Sequence, residues 1–279
     1  EVAGAATGAV AGLECDLSSL ASVRALAQRW KSMGGMPIDA LCLNAGVAPA
    51  TDGKVPRRTA EGFEEAVGVN HLGHMLLYSL MLRYLEASKA SPPRVVVTAS
   101  SVHDPDTPGG NVGSRATLGD LSGLRAWLDA GSFDMVDGGP YDGDKSYKDS
   151  KLCNVLFARE AARRLRSSGS RVVCNSFSPG LITKTGLFRN QNKLFVRAFD
   201  AVATNVAKVA ATVGQGGDTL VSMVDDDHCA ATSGAFFATL PGKPNSEFAQ
   251  CEVSLEAQRD DLSAQLWKLS LQVVGEAAA

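Results

Sequence analysis

Five short apolar runs that do not alternate punctuate the 279-residue chain: GLECDL (12–17), DALCLNAG (39–46), RVVVTAS (94–100), RVVCNSFSPG (171–180) and GAFFATL (234–240). A strand loses the alternation of polar and apolar residues when both of its faces are covered, which is the condition of strands in a parallel sheet. Between the runs lie helical patterns. Residues 18–33 open with serines able to cap free N–H groups, 61–88 are long and apolar, and 146–168 are amphipathic. Residues near 193–212, 215–224 and 254–275 also read as helices. Strands alternating with helices predict an α/β fold, a doubly wound, Rossmann-like parallel sheet with right-handed crossovers. The length suits one domain over 1–279.

One segment breaks the rhythm. From His103 to Lys145 the chain is rich in Gly, Asp and Pro, yet it carries Leu121, Leu124, Trp127, Phe133 and Tyr141. Apolar side chains of that size predict an ordered inserted lobe over about 103–145 rather than a linker. The formal charge of −3 argues against nucleic acid as the main partner, and no uncharged apolar run approaches a membrane span. Peripheral contact with a membrane and self-association stay open. The six cysteines form no C-x-x-C pair, so neither a zinc ribbon nor a disulfide framework is expected. His71 and His74 lie one turn apart without a third ligand nearby, and packing is the better reading than metal. With no signal peptide visible, secretion is not expected.

The chemistry concentrates in YKDSK (147–151). Tyr147 and Lys151 fall on one helix face, where an ammonium beside a phenol favours the phenolate and suits proton transfer near neutral pH. Alone, the pattern describes an ordinary solvated helix. Its context changes that reading, because ligands of open α/β sheets bind at the carboxyl ends of the strands. Ser100 and Ser101 end one run, Asn44, Ala45 and Gly46 end another, Asp16 and Leu17 a third, and Pro179 and Gly180 a fourth.

In this order the motifs DL (16–17), NAG (44–46), NHLG (70–73), the strand-end Ser101, YKDSK and PG (179–180) resemble the short-chain dehydrogenase/reductase superfamily. The resemblance implies Tyr147 as general acid, and Lys151 holding the nicotinamide ribose and depressing the phenol pKa. It implies Ser101 orienting the reacting group and Asn70 supporting a proton-relay water. Asp16 and Leu17 would lie beside the adenine, Asn44, Ala45 and Gly46 under the cofactor, and Pro179, Gly180 and Ile182 near the carboxamide. Ser101 and Tyr147 lie 46 positions apart, and an insertion fills the interval. With GNVG, LGDLSGL, YKDSK.CN, TGLFR and the tail LWKLSLQVVG, the chain is similar to the light-dependent protochlorophyllide oxidoreductases. That likeness implies NADPH as cofactor, a tetrapyrrole pigment as substrate, light-driven reduction in chlorophyll synthesis, and a plastid location in a photosynthetic eukaryote (cytoplasmic otherwise). Cys153 and Leu181 would reach the substrate. The chain departs from that family at Ala48, Leu181 and Lys184, where tyrosine, cysteine and threonine are usual. A light-independent NADP(H) carbonyl or alcohol reductase of the same superfamily is therefore the alternative.

The superfamily's Gly-rich phosphate loop is not found, and the first match, Asp16, belongs to the third strand of the family pattern. The expectation is that the first two strands and their helix are missing, leaving an open-edged sheet that binds dinucleotide poorly. Micromolar NADPH affinity of residues 1–279 alone would overturn it.

Overall fold

The structure, a computed structural model, describes residues 10–50, 53–183, 185–189, 191, 210–239 and 247–276. Its frame is a five-stranded sheet in the order β1 (Ala40–Leu43), β2 (Arg94–Thr98), β3 (Val173–Phe177), β4 (Phe236–Thr239), β5 (Phe248–Cys251). The first four strands are parallel and β5 is antiparallel to β4. This is the Rossmann-like α/β sheet that the apolar runs predict.

The register explains why the runs do not alternate. Val96 sits between Cys42 and Asn175, and all five residues of β2 are buried. Val95, Val97 and Cys174 face one layer, with Met75, Phe157, Ala161 and Trp267 from the helices α3 (Gly73–Glu86), α5 (Gly143–Ser167) and α8 (Asp260–Val274). Val96, Phe177 and Phe237 face the other, against Met223 of α6 (Val213–Asp225) and Cys229 of α7 (Asp227–Ala230).

The helices begin where capping chemistry allows. Ser19 Oγ accepts from Ser22 N at the start of α1 (Leu20–Ser32), and Asp142 accepts from Lys145 N at the start of α5. The expected helix over 61–88 starts late, because buried Glu64 caps Ala66 N and Val67 N. It then runs through α2 (Glu65–Val67) and a π turn, Gly68–Leu72, into α3. Between His103 and Lys145 the short helix α4 (Ser122–Ala130) and its flanking turns bury Leu118, Leu121, Leu124, Phe133 and Val136 in one core cluster. Leu121 holds φ at 63°, a region costly for a residue with a Cβ, while its side chain is fully buried.

Three expectations need correction or a limit. Residues 12–17 form no strand: they run largely exposed into α1, where the Asp16 carboxylate accepts from Ser18 N and Ser18 Oγ and turns the chain. A strand needs a ladder, and among the described residues β1 pairs on its β2 side alone, so nothing is there to hold a neighbour in place. The sequence reading also missed β5, whose FAQC is too short to show a period. The helix expected near 193–212 falls, over 193–209, outside the described residues.

Candidate active site

The carboxyl ends of β1, β2 and β3 border a cavity of about 530 Å³. Asn44, Ala45 and Gly46 enter it after β1, Thr98, Ala99 and Ser100 from the end of β2, and Pro179, Gly180 and Ile182 after β3. Helix α5 supplies Tyr147 and Lys151, and α6 supplies Val213, Gly216, Gly217 and Leu220. Thr185, Gly186, Leu187 and Arg189 complete the lining. One glycine is demanded by its backbone, and a second leaves room for a neighbouring side-chain tip. Gly180 holds φ at 84°, and a Cβ on Gly216 would stand 2.1 Å from Ile182 Cδ1.

Hydrogen bonds fix this rim from behind. Thr98 Oγ1 donates to Asn44 Oδ1 at 2.9 Å, joining the ends of β1 and β2. Asn70, in the π turn, accepts from Val47 N (2.8 Å) and donates from Nδ2 to Val47 O (3.0 Å) and Ser150 Oγ (2.9 Å). Ser150 Oγ in turn donates to Tyr147 O at 2.6 Å. The turn after β1 is thus tied to the helix that carries the phenol. A Cβ on Gly46 would meet Asn70 Oδ1 at 3.3 Å and Lys151 Nζ at 3.7 Å, so these three groups crowd one corner.

Lys151 Nζ donates to Thr98 O at 3.1 Å and lies 5.6 Å from the centre of the Tyr147 ring. Burial pulls its ammonium down to about 8. The expectation that this cation depresses the Tyr147 pKa is not met: burial pushes the phenol up. Tyr147 therefore keeps its proton across the neutral range and is a donor. His74, whose Nδ1 bonds the Asn70 carbonyl at 3.0 Å, is held to about 4 by burial, and His71, bonded to Ser270 Oγ at 2.8 Å, to about 3. Both imidazoles are spent on helix packing, and no cluster of metal-ligating side chains occurs among the described residues.

The other candidates lie elsewhere. Ser101 opens the short turn Ser101–His103; its carbonyl accepts from Thr107 Oγ1 and Asp104 N, and the serine in the cavity wall is Ser100. Asp16 is exposed ahead of α1, and the Leu17 carbonyl approaches Gly73. Cys153 is fully buried in the core, and burial raises its thiol well above the usual range. Leu181 bridges to Ala210. Ala48 is buried and donates its N–H to the carbonyl of Leu187 at 3.2 Å, behind the cavity wall; Lys184 lies outside the described residues. The sequence reading missed Thr98 and the α6 face. The glycine pair in VGQGGDTL was a signal for close approach, but its target across the sheet edge is not written locally.

The remaining letters of YKDSK hold the lobe. Lys148 Nζ donates to Val112 O (2.5 Å), Ser114 O (2.7 Å) and Asp144 Oδ2 (2.9 Å). Asp149 accepts from Thr117 N at 3.0 Å and from Lys145 Nζ at 2.5 Å, and Lys145 also reaches Asp137 and Thr117 O. Burial outweighs the lysine and pushes Asp149 up to about 7. All five residues thus have separate work: two face the cavity, two anchor the lobe, one binds Asn70.

Comparisons with known proteins point the same way. A family model described as short chain dehydrogenase matches residues 1–112. Protochlorophyllide reductase B, chloroplastic, of Hordeum vulgare is 37% identical over 98% of this chain and 68% of its own length. The protochlorophyllide reductase of Avena sativa is 37% identical over 99% of this chain and 86% of its own length. Against the chloroplastic enzyme of Marchantia paleacea, 36% identical, the chain spans 56% of the relative's length. Among solved structures, the 3-alpha-hydroxysteroid dehydrogenase of Pseudomonas sp. B-0831 complexed with NADH superposes with a TM-score of 0.57 at 19% identity, over 81% of this chain and 80% of that one. That likeness speaks for the fold.

Proposed function

Because this chain belongs to the protochlorophyllide reductases of the short-chain dehydrogenase family, we propose that the protein it represents reduces a tetrapyrrole double bond with NADPH, in a light-triggered reaction. The observation that carries the reading is the convergence of Tyr147, Lys151, the Asn44–Gly46 turn and the Pro179–Gly180 turn on one cavity at the carboxyl edge of the sheet. The residues fit the nicotinamide half of the cofactor. Gly46 and Gly180 leave room for close approach, and Lys151, in the same cavity, would offer a cation to ribose oxygens.

Bound NADPH would supply the hydride. The chain's own groups do the rest. Tyr147, kept protonated by burial, gives the proton that completes reduction of the double bond. Lys151 would hold the ribose hydroxyls and stabilise the phenolate left behind. Asn70, clamped by Val47 and Ser150, keeps the β1 turn at a fixed distance from the helix. Ser100, in the cavity wall, takes the orienting role first assigned to Ser101. The lobe anchored by Lys148 and Asp149 covers the flat pigment, and the site is in a plastid, as the names of the relatives support.

The experiment is illumination of the full-length protein with NADPH and protochlorophyllide. Product in light and none in darkness supports the reading; no product in light sinks it. Ala48 favours a second reading, light-independent reduction of another apolar carbonyl, because its small side chain stands behind the Leu187 wall where the family usually has tyrosine. Dark turnover with retinoid-like or steroid-like carbonyls would establish that one instead.

A further inference from the structure

His103 is a buried titratable group that the assigned reaction leaves unused. It closes the short turn Ser101–His103 after β2, three residues beyond the serine in the cavity wall, and is 1% exposed. Its ring stands edge-on to Phe236 of β4, with centroids 4.8 Å apart. That packing alone would be met by any aromatic ring.

Both nitrogens are engaged, and their partners fix the tautomer. Nδ1 lies 2.7 Å from the carbonyl oxygen of Ser100, which can only accept, so Nδ1 carries the hydrogen. Nε2 lies 3.4 Å from the backbone N of Ser254, which can only donate, so Nε2 is bare. One neutral tautomer satisfies both contacts; a charged ring would set two donors against each other at Ser254. Burial holds the pKa below its ordinary value, against the opposing pull of the Ser100 carbonyl and of Asp104, and the ring is neutral at about pH 7.

The two bonds join the cavity wall to the segment that follows β5. Ser254 is 4% exposed, and its hydroxyl accepts from Ala257 N at 3.2 Å, so the turn it opens is itself held. The same turn carries Glu256, whose Oε1 accepts from Leu118 N of the inserted lobe at 2.7 Å. On the cavity side, the Ser100 carbonyl accepts twice, from Nδ1 and from the His103 backbone N at 3.2 Å. The Ser100 hydroxyl makes only a long contact, accepting from Val102 N at 3.4 Å. Its place in the wall is therefore set through its carbonyl. We propose that His103 is a positioning residue, which through that carbonyl sets where the Ser100 hydroxyl meets the reacting group of the substrate. The role presupposes the reduction assigned to this cavity. Misplacing such a group by about 1 Å can cost about 10²-fold in rate.

The test uses three variants of the full-length protein, assayed with the pigment in light and with apolar carbonyls in darkness. His103→Phe keeps the ring and removes both bonds. His103→Asn can return a donor at the Nδ1 position, and His103→Gln reaches only the Nε2 position. In the Phe and Gln variants kcat should fall about tenfold or more with KM within about twofold, and the Asn variant should recover to within about threefold of the parent. Losses that follow the urea-melt midpoints instead of this order overturn the proposal, because that is what a merely structural imidazole would give. Adding His103→Phe to Ser100→Ala should cost no further kcat, and additive losses overturn it too. Nitrogen-15 NMR of the imidazole should show Nδ1 protonated and Nε2 bare; the opposite tautomer, or a charged ring at neutral pH, overturns it without any assay. A parent that reduces neither substrate brings down the assigned reduction and this role with it. A parent that turns over, with variants out of order, brings down the role alone.

Discussion

Lys148 and Lys151 lie one turn apart on α5, and both are almost wholly buried, at 4% and 2% exposure. Their surroundings differ. Lys148 meets a carboxylate and two carbonyls, so its charge is matched on the lobe side. Lys151 meets one carbonyl, Thr98 O, and its ammonium is pulled down to about 8. One lysine is placed for stability. The other is held in a state the fold alone does not favour, which is the usual mark of a group kept for a ligand.

The sharpest test of the cavity side is Tyr147→Phe. It removes the proton donor while sparing the helix, and turnover should fall by roughly 10²–10⁴ with an unchanged circular dichroism spectrum. Unchanged turnover would remove Tyr147 from the reaction. Next comes Lys151→Met, where activity and stability should part. The folded pKa of about 8 lies below the ordinary 10.5, so between these values the unfolded chain binds more protons and stability rises with pH. Below about pH 8 the whole penalty is present, and the methionine variant should be more stable there, by up to about 3 kcal/mol in urea melts. In the parent, turnover should fall as pH rises through about 8. A destabilised Lys151→Met would show that the two lysines are alike.

Lys148→Met should do the reverse. It takes the ammonium from two lobe carbonyls and from Asp144, which keeps Ser114 N, costing about 2 kcal/mol, with faster proteolysis of residues 103–145 as the readout. The smallest effect is expected for Ser150→Ala, about 1 kcal/mol, since Asn70 keeps its Val47 partners. A drop in turnover larger than the drop in stability would show that the clamp positions the phenol.

The same contrast explains what could be read from the sequence. Tyr147 and Lys151 were legible because helical spacing puts them on one face whatever the fold. Runs such as RVVVT were legible because double burial leaves a local mark. Lys148 and Asp149 gave no such mark, as their partners at 112, 114 and 117 are distant in sequence. Ser100 and Ser101 could not be told apart, because which one enters the cavity depends on the turn that follows β2. GLECDL carried the composition of a strand, but a strand exists only with a neighbour, and composition does not report neighbours.

The lobe's anchor at Lys148 is one peptide bond away from the phenol. In the proposed reaction, size recognition by the lobe and proton delivery by Tyr147 would therefore be mounted on the same turn of α5. A compound too small to press on the lobe would still enter the cavity, yet leave the donor less well aimed. For such truncated analogues the loss should fall on kcat more than on KM.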